Sequence, residues 1–112
     1  MANIIIPGLP FWTAPEPATD EVQQICNDKK QEIENILGRN SETFVALLHR
    51  REIMCGSTNY VVKILIGSKE CVHAMLSRME IEFKTDFTVR AVKADMTRAD
   101  DLNPFSDGKL CK

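Results

Sequence analysis

Residues 52–56 read Glu52-Ile53-Met54-Cys55-Gly56, which puts a carboxylate, a thiol and a glycine into one short stretch. A cysteine attacks as its thiolate, so nucleophilic work there would need a base and a group to orient that base. His49 and His73 supply the imidazoles, but the sequence signals no oxyanion donor and no orienting residue for a Cys55–His pair. There is no phosphate loop and no paired acid/base motif. Cys26, Cys55, Cys71 and Cys111 lie far apart without a C-x-x-C pair, and the histidines stand alone, so no metal-ligand spacing is present. No cofactor and no metal are expected. The chemistry on offer is that of contact, and the chain is not expected to be an enzyme.

Gly56 sits in Cys55-Gly56-Ser57-Thr58-Asn59, a turn composition between two extended segments. The first, Phe44 to Met54, carries Phe44, Val45, Leu47, Leu48 and Ile53. The second, Tyr60 to Ile66, is rich in β-branched residues. Together they predict a long hairpin with its tip near Gly56. Gly67-Ser68 turns the chain again, and alternation over Glu70–Met79 and Phe87–Ala94 predicts two more strands. After Asp95 the sequence reads as a polar tail.

Upstream, Thr19 is a helix N-cap candidate, with Asp20 and Glu21 in the first turn where negative charge is favourable. Val22, Ile25, Cys26, Ile33, Ile36 and Leu37 form one apolar stripe along a helix of about five turns, interrupted at Lys29-Lys30 and stopped by Gly38. Residues 1–16 contain Pro7, Pro10 and Pro15 and read as an extended arm. The order predicts one α+β domain over 1–112, with one long helix packed on a four- to five-strand antiparallel sheet.

These residues resemble a known family. Pro17-Ala18-Thr19 opening a helix, with Glu52-Ile53-Met54-Cys55-Gly56 running into Thr58-Asn59-Tyr60, looks like the stefins, the type 1 cystatins. The family's first loop is written Q-V-V-A-G before T-N-Y, and its second loop L-P-G. Glu52, Met54 and Cys55 depart from the first pattern, Ser57 reads as one inserted residue, and Glu80-Ile81-Glu82-Phe83 lacks the L-P-G. The resemblance implies a cystatin-like fold and a reversible, competitive inhibitor of papain-like cysteine proteases of the cathepsin type. It implies a wedge of three parts that enters the target's cleft. Pro7, Gly8 and Leu9 of the arm would touch the protease, as would Glu52, Ile53, Met54, Cys55 and Gly56 of the first loop. Ile81 and Glu82 of the second loop would add to them. The alternative is a cystatin-fold interaction module with weakened or lost inhibition.

The physics agrees with a wedge. A protease cleft accepts extended peptide, and a rigid hairpin tip fills it with little loss of entropy. Glycine at the tip lets backbone approach closely. Cys55 admits two readings, a small residue in place of alanine or a thiol able to exchange with a catalytic thiolate. Glu52 is either a solvated strand residue or a charge that selects against acidic clefts. Trp12 is either packed on the sheet or a binding anchor. Asn103-Pro104-Phe105 is either tail packing or a short adaptor motif. Cys26 reads as core, and Cys71 and Cys111 as surface thiols.

Composition closes other routes. A formal charge of −2 and a pI near 5.7 leave no basic footprint for nucleic acid. No apolar run approaches the roughly 18 residues of a membrane span, and the N-terminus lacks the pattern of a signal peptide. The expected location is the cytoplasm. The expected state is a monomer able to form a domain-swapped dimer through the long hairpin.

Overall fold

The computed structural model describes residues 12–54, 57–105 and 108–111. Strand β1 (Glu16–Pro17) leads into helix α1 (Asp20–Asp28), helix α2 (Lys30–Leu37) and four long strands: β2 (Val45–Met54), β3 (Ser57–Leu65), β4 (Cys71–Ile81) and β5 (Lys84–Met96). Strand β6 (Gly108–Cys111) closes the chain. All six strands form one sheet in sequence order, and β1 to β5 are antiparallel neighbours.

The helix begins and ends as its sequence dictates. Thr19 is extended at φ −89°, and its hydroxyl accepts from the Val22 amide at 3.2 Å. Gly38 takes the left-handed conformation at φ 78° and donates its amide to the Glu34 carbonyl at 2.9 Å. Lys29 leaves helical geometry at φ −106°, ψ 8°, so the expected single helix is divided there into α1 and α2. The hydrogen-bond ladder still crosses the break, from Lys29 N–H to Ile25 O at 3.2 Å and from Ile33 N–H to Lys29 O at 3.0 Å. The break therefore interrupts one helical rod rather than starting a new layer.

One face of the sheet packs on that rod. Val22, Ile25, Cys26 and Ile33 meet Tyr60, Val62, Ile64, Val72, Ala74, Leu76, Val89 and Val92 in the main core. Val62, Ile64, Val72 and Val89 are fully enclosed, and burying each such side chain stabilises the fold by about 1.5–3 kcal/mol. Burial also pushes the Cys26 thiol up to about 12, which makes it an inert core residue.

The opposite, outer face is where the sequence expectation fails. The segment after Asp95 is not a free polar tail. Residues 97–105 form a strap across the sheet, and β6 pairs parallel with β5. Leu102, only 3% exposed, joins Val61, Met75 and Ala91 in a second cluster, flanked by Trp12, Leu48 and Phe105. Without the strap those apolar residues would face water. Irregularities in the ladder deal residues between the faces. A shift between Ala46 and Leu48 sends Ala46 to the helix side and Leu48 outward, and a shift opposite Met75/Leu76 separates Val89 from Ala91 in the same way.

Cys71, expected as a surface thiol, is fully buried in β4, and burial raises its pKa. His49 and His73 are strand residues as expected, but both are enclosed. Cys111 lies in β6.

Candidate functional site

The hairpins β2–β3 and β4–β5 turn at the same end of the sheet. A continuous row, Ile53–Thr58–Arg78–Phe87, crosses four strands just below both turns. Beyond it β2 continues one residue to Met54, whereas β4 continues to Ile81. The strands of the second hairpin therefore run about 7 Å further, at roughly 3.3 Å per residue.

The arm reaches the same end. Pro17 pairs with Leu48, Glu16 with His49, and Trp12 bridges to Glu52. Read backwards from the helix, the chain thus climbs along β2 toward the first hairpin. Thr13 fastens it twice to Arg51: its amide donates to the Arg51 carbonyl at 2.9 Å, and its hydroxyl accepts from the Arg51 amide at 3.0 Å. Pro7, Gly8, Leu9, Cys55 and Gly56 lie outside the described residues. Ile53 and Met54 form the last residues of β2, directly opposite Thr58 and Ser57. Ile81 ends β4 opposite Lys84. The described portions of all three expected parts therefore converge on one edge.

Glu52 is neither solvated nor offered at the surface. It is 6% exposed, on the outer face, and its carboxylate accepts from the Asn59 side-chain amide. Asn59 Oδ1 in turn accepts from the Ser77 hydroxyl at 2.6 Å, and Ser77 Oγ accepts from the Arg90 guanidinium at 3.3 Å. This chain of polar side chains ties β2, β3, β4 and β5 together just beneath the first hairpin tip. Trp12, Pro104 and Phe105 wall a cavity of about 280 Å³ over it. Trp12 is therefore packed on the sheet, and Asn103-Pro104-Phe105 belongs to the strap.

The tip of the second hairpin holds the residue that sequence reasoning passed over. Glu82 and Phe83 make the two-residue turn with φ of 51° and 66°. Such turns need positive φ at both central positions and favour Asn-Gly. A side chain in this region costs about 1–2 kcal/mol per residue. Phe83 is moreover wholly exposed at 109%. Neither packing nor backbone geometry asks for phenylalanine there. The available signal was a bare aromatic between Glu82 and Lys84 at a polar turn.

No protein-family model matches the chain. Among known proteins, Cystatin-A8 of Sus scrofa is 30% identical over 93 residues, which span 83% of this chain and 89% of the relative. Leukocyte cysteine proteinase inhibitor 1 of Sus scrofa shows the same identity and coverage, and Cystatin-B of Mus musculus is 27% identical over 83% of this chain and 94% of its own length. The chain belongs to the stefin family of cystatins, a family of cysteine protease inhibitors rather than enzymes. Among the described residues no helix is long and apolar enough to cross a membrane.

Proposed function

We propose that this protein is a reversible, competitive inhibitor of papain-like cysteine proteases of the cathepsin type, acting by insertion of one sheet edge into the active-site cleft. The observation that carries the reading is the meeting of three elements at that edge: the arm strand beside β2, the end of the β2–β3 hairpin, and the projecting β4–β5 turn. The arm residues Pro7, Gly8 and Leu9 occupy the non-primed side, and Ile53, Met54, Cys55 and Gly56 the centre. Ile81 and Glu82, with Phe83 added, occupy the primed side. Glu52 serves this edge from behind, through Asn59 and Ser77, as a brace.

Phe83 stands in for the missing L-P-G of the second loop. A bare aromatic on a rigid turn gives apolar contact at small entropic cost. The strain at Glu82 and Phe83 fits a position kept for contact rather than for folding. The protein works inside cells, in the cytoplasm, a reading that its membership of the stefin family supports, and Cys55 acts there as a small tip residue in place of alanine. The inhibitor works as a monomer, and exchange of the long hairpin between copies gives a dimer on heating, visible by gel filtration.

The test is titration of a papain-like endopeptidase and a papain-like exopeptidase, each with and without reductant. Inhibition of the endopeptidase, unaltered by reductant, is expected. Weaker inhibition of the exopeptidase is expected because its occluded cleft crowds the arm and the projecting turn. Absence of inhibition at high micromolar concentration against several such enzymes would refute the proposal.

A further inference from the structure

Arg50 lies on the outer face of β2, opposite Val61 and two residues before Glu52. Its guanidinium is shared between two distant segments. Nε donates to the Thr13 carbonyl at 2.8 Å, and one terminal nitrogen donates to the Leu102 carbonyl at 2.8 Å and to Asn103 Oδ1 at 3.1 Å. These acceptors are neutral oxygens, so this is no ordinary surface ion pair. It is a bridge between the arm, at the point where it leaves the sheet, and the strap that covers the outer face.

The chemistry suits arginine and not lysine. A planar guanidinium carries donors on separate nitrogens in fixed directions, here Nε toward one segment and a terminal nitrogen toward the other, whereas an ammonium holds its three donors on a single nitrogen. The arm itself is lightly held. Apart from Arg50, its described attachments are the short pairing of Glu16–Pro17, the Trp12–Glu52 bridge, the Thr13–Arg51 bonds and the packing of Trp12 on the Val61–Met75–Ala91–Leu102 cluster. Trp12 and Thr13 stand three and four residues after Leu9, the last of the arm residues assigned to the protease above. Whatever fixes Thr13 fixes the point and direction from which those residues depart.

We propose that Arg50 is a positioning residue of the binding edge: it clamps the arm at Thr13 to the strap at Leu102 and so sets the arm beside the first hairpin before any target arrives. The proposal rests on the inhibitory reading above for its consequence, but not for its geometry. Pre-fixing a segment that must be ordered in the complex removes that ordering cost from binding. The strap thereby acts on inhibition without touching the target.

The experiment uses Arg50→Met, which keeps the aliphatic stem, and Arg50→Lys, which keeps the charge. Trp12 is the sole tryptophan, so its emission reports arm docking directly. In Arg50→Met the emission is expected to shift to the red and acrylamide quenching to steepen while far-ultraviolet dichroism stays unchanged. Arg50→Lys shows a smaller change and serves where the methionine variant does not fold. Against papain, Arg50→Met is expected to weaken inhibition about tenfold in the full chain. In a chain lacking residues 1–11 the same substitution is expected to change inhibition by less than about twofold, because the arm it positions is gone. Unchanged Trp12 emission in folded variants overturns the clamp. Equal losses of inhibition with and without residues 1–11 overturn its action through the arm. Should the unaltered protein fail to inhibit papain, the inhibitory reading falls, and Trp12 emission still decides whether Arg50 holds the arm.

Discussion

Lys63 on β3 and His73 on β4 are directly opposed across the outer face, at 2% and 1% exposure. The Lys63 ammonium donates to the carbonyls of Arg98 and Asp100 in the strap, at 2.8 Å for Arg98. His73 faces Lys93 on its other side, and its Nε2 has no hydrogen-bond partner among the described residues. Burial, then Lys63, depress the imidazole to about 4, while Asp100 from the strap and Lys93 from β5 add opposing smaller effects.

Stability is therefore expected to fall on acidification in a defined window. The folded pKa of His73 lies below its ordinary 6.5, so the unfolded chain binds more protons between about 4 and 6.5. The stabilisation is complete above 6.5 and is lost as pH falls toward 4, by on the order of 3 kcal/mol. Glu34, held low by Ser41, and Asp100, held low by Thr97, act at lower pH, since their stabilisation is lost below the ordinary carboxylate range. Thermal melts from pH 7 to pH 4 check this. His73→Gln is expected to flatten the profile between 6.5 and 4, and an unchanged slope would show that another group carries it.

Lys63→Met should separate two effects. It leaves the carbonyls of Arg98 and Asp100 without their donor, which costs about 1–3 kcal/mol if they stay buried. It also removes the cation opposite His73. Denaturant melts are expected to show lower stability at pH 7, and an imidazole titration by NMR is expected to move upward toward 6.5.

The polar chain behind the first hairpin should fail hardest at Asn59, the donor to the Glu52 carboxylate. Asn59→Leu strips the Glu52 carboxylate of its donor and the Ser77 hydroxyl of its acceptor. Leaving a buried carboxylate oxygen without its donor costs about 1–3 kcal/mol or more. Ser77→Ala, which removes a neutral hydroxyl between Asn59 and Arg90 and leaves the Asn59–Glu52 bond in place, is expected to cost about 1 kcal/mol. Equal losses in urea melts would count against a chain centred on Asn59.

Phe83 should show stability and binding moving in opposite directions. Phe83→Gly relieves the positive φ and is expected to stabilise the fold by about 0.5–1 kcal/mol, while weakening protease inhibition about tenfold, the scale of one aromatic anchor. Phe83→Ala keeps the backbone strain and loses only the binding. Inhibition unchanged in both would remove Phe83 from the contact surface.

Much of the architecture was legible because it follows local rules. Thr19 and Gly38 bound the helix, the stripe from Val22 to Leu37 faces the sheet, and the alternating segments became β2 to β5. The outer face was not legible. Arg50, Glu52, Lys63 and His73 occupy alternate strand positions, the pattern that ordinarily marks a solvated face. The strap, with Trp12 of the arm, covers them, and its apolar content, Leu102 and Phe105, is too sparse to stand out over residues 97–105. The ladder shifts near Leu47 and Arg90 were hidden for a related reason: a residue gained on one strand leaves composition unchanged. Of the candidate site, the two hairpins and their shared end follow from strand order. The burial of Glu52 and the exposure of Phe83 needed three dimensions.

The most direct measurement of the central claim is inhibition of papain at several substrate concentrations. Insertion of the sheet edge into the cleft requires that substrate and inhibitor exclude each other. The apparent inhibition constant is expected to rise linearly with substrate concentration, with the maximal rate unchanged. An apparent constant independent of substrate, or no inhibition at all, would contradict the account.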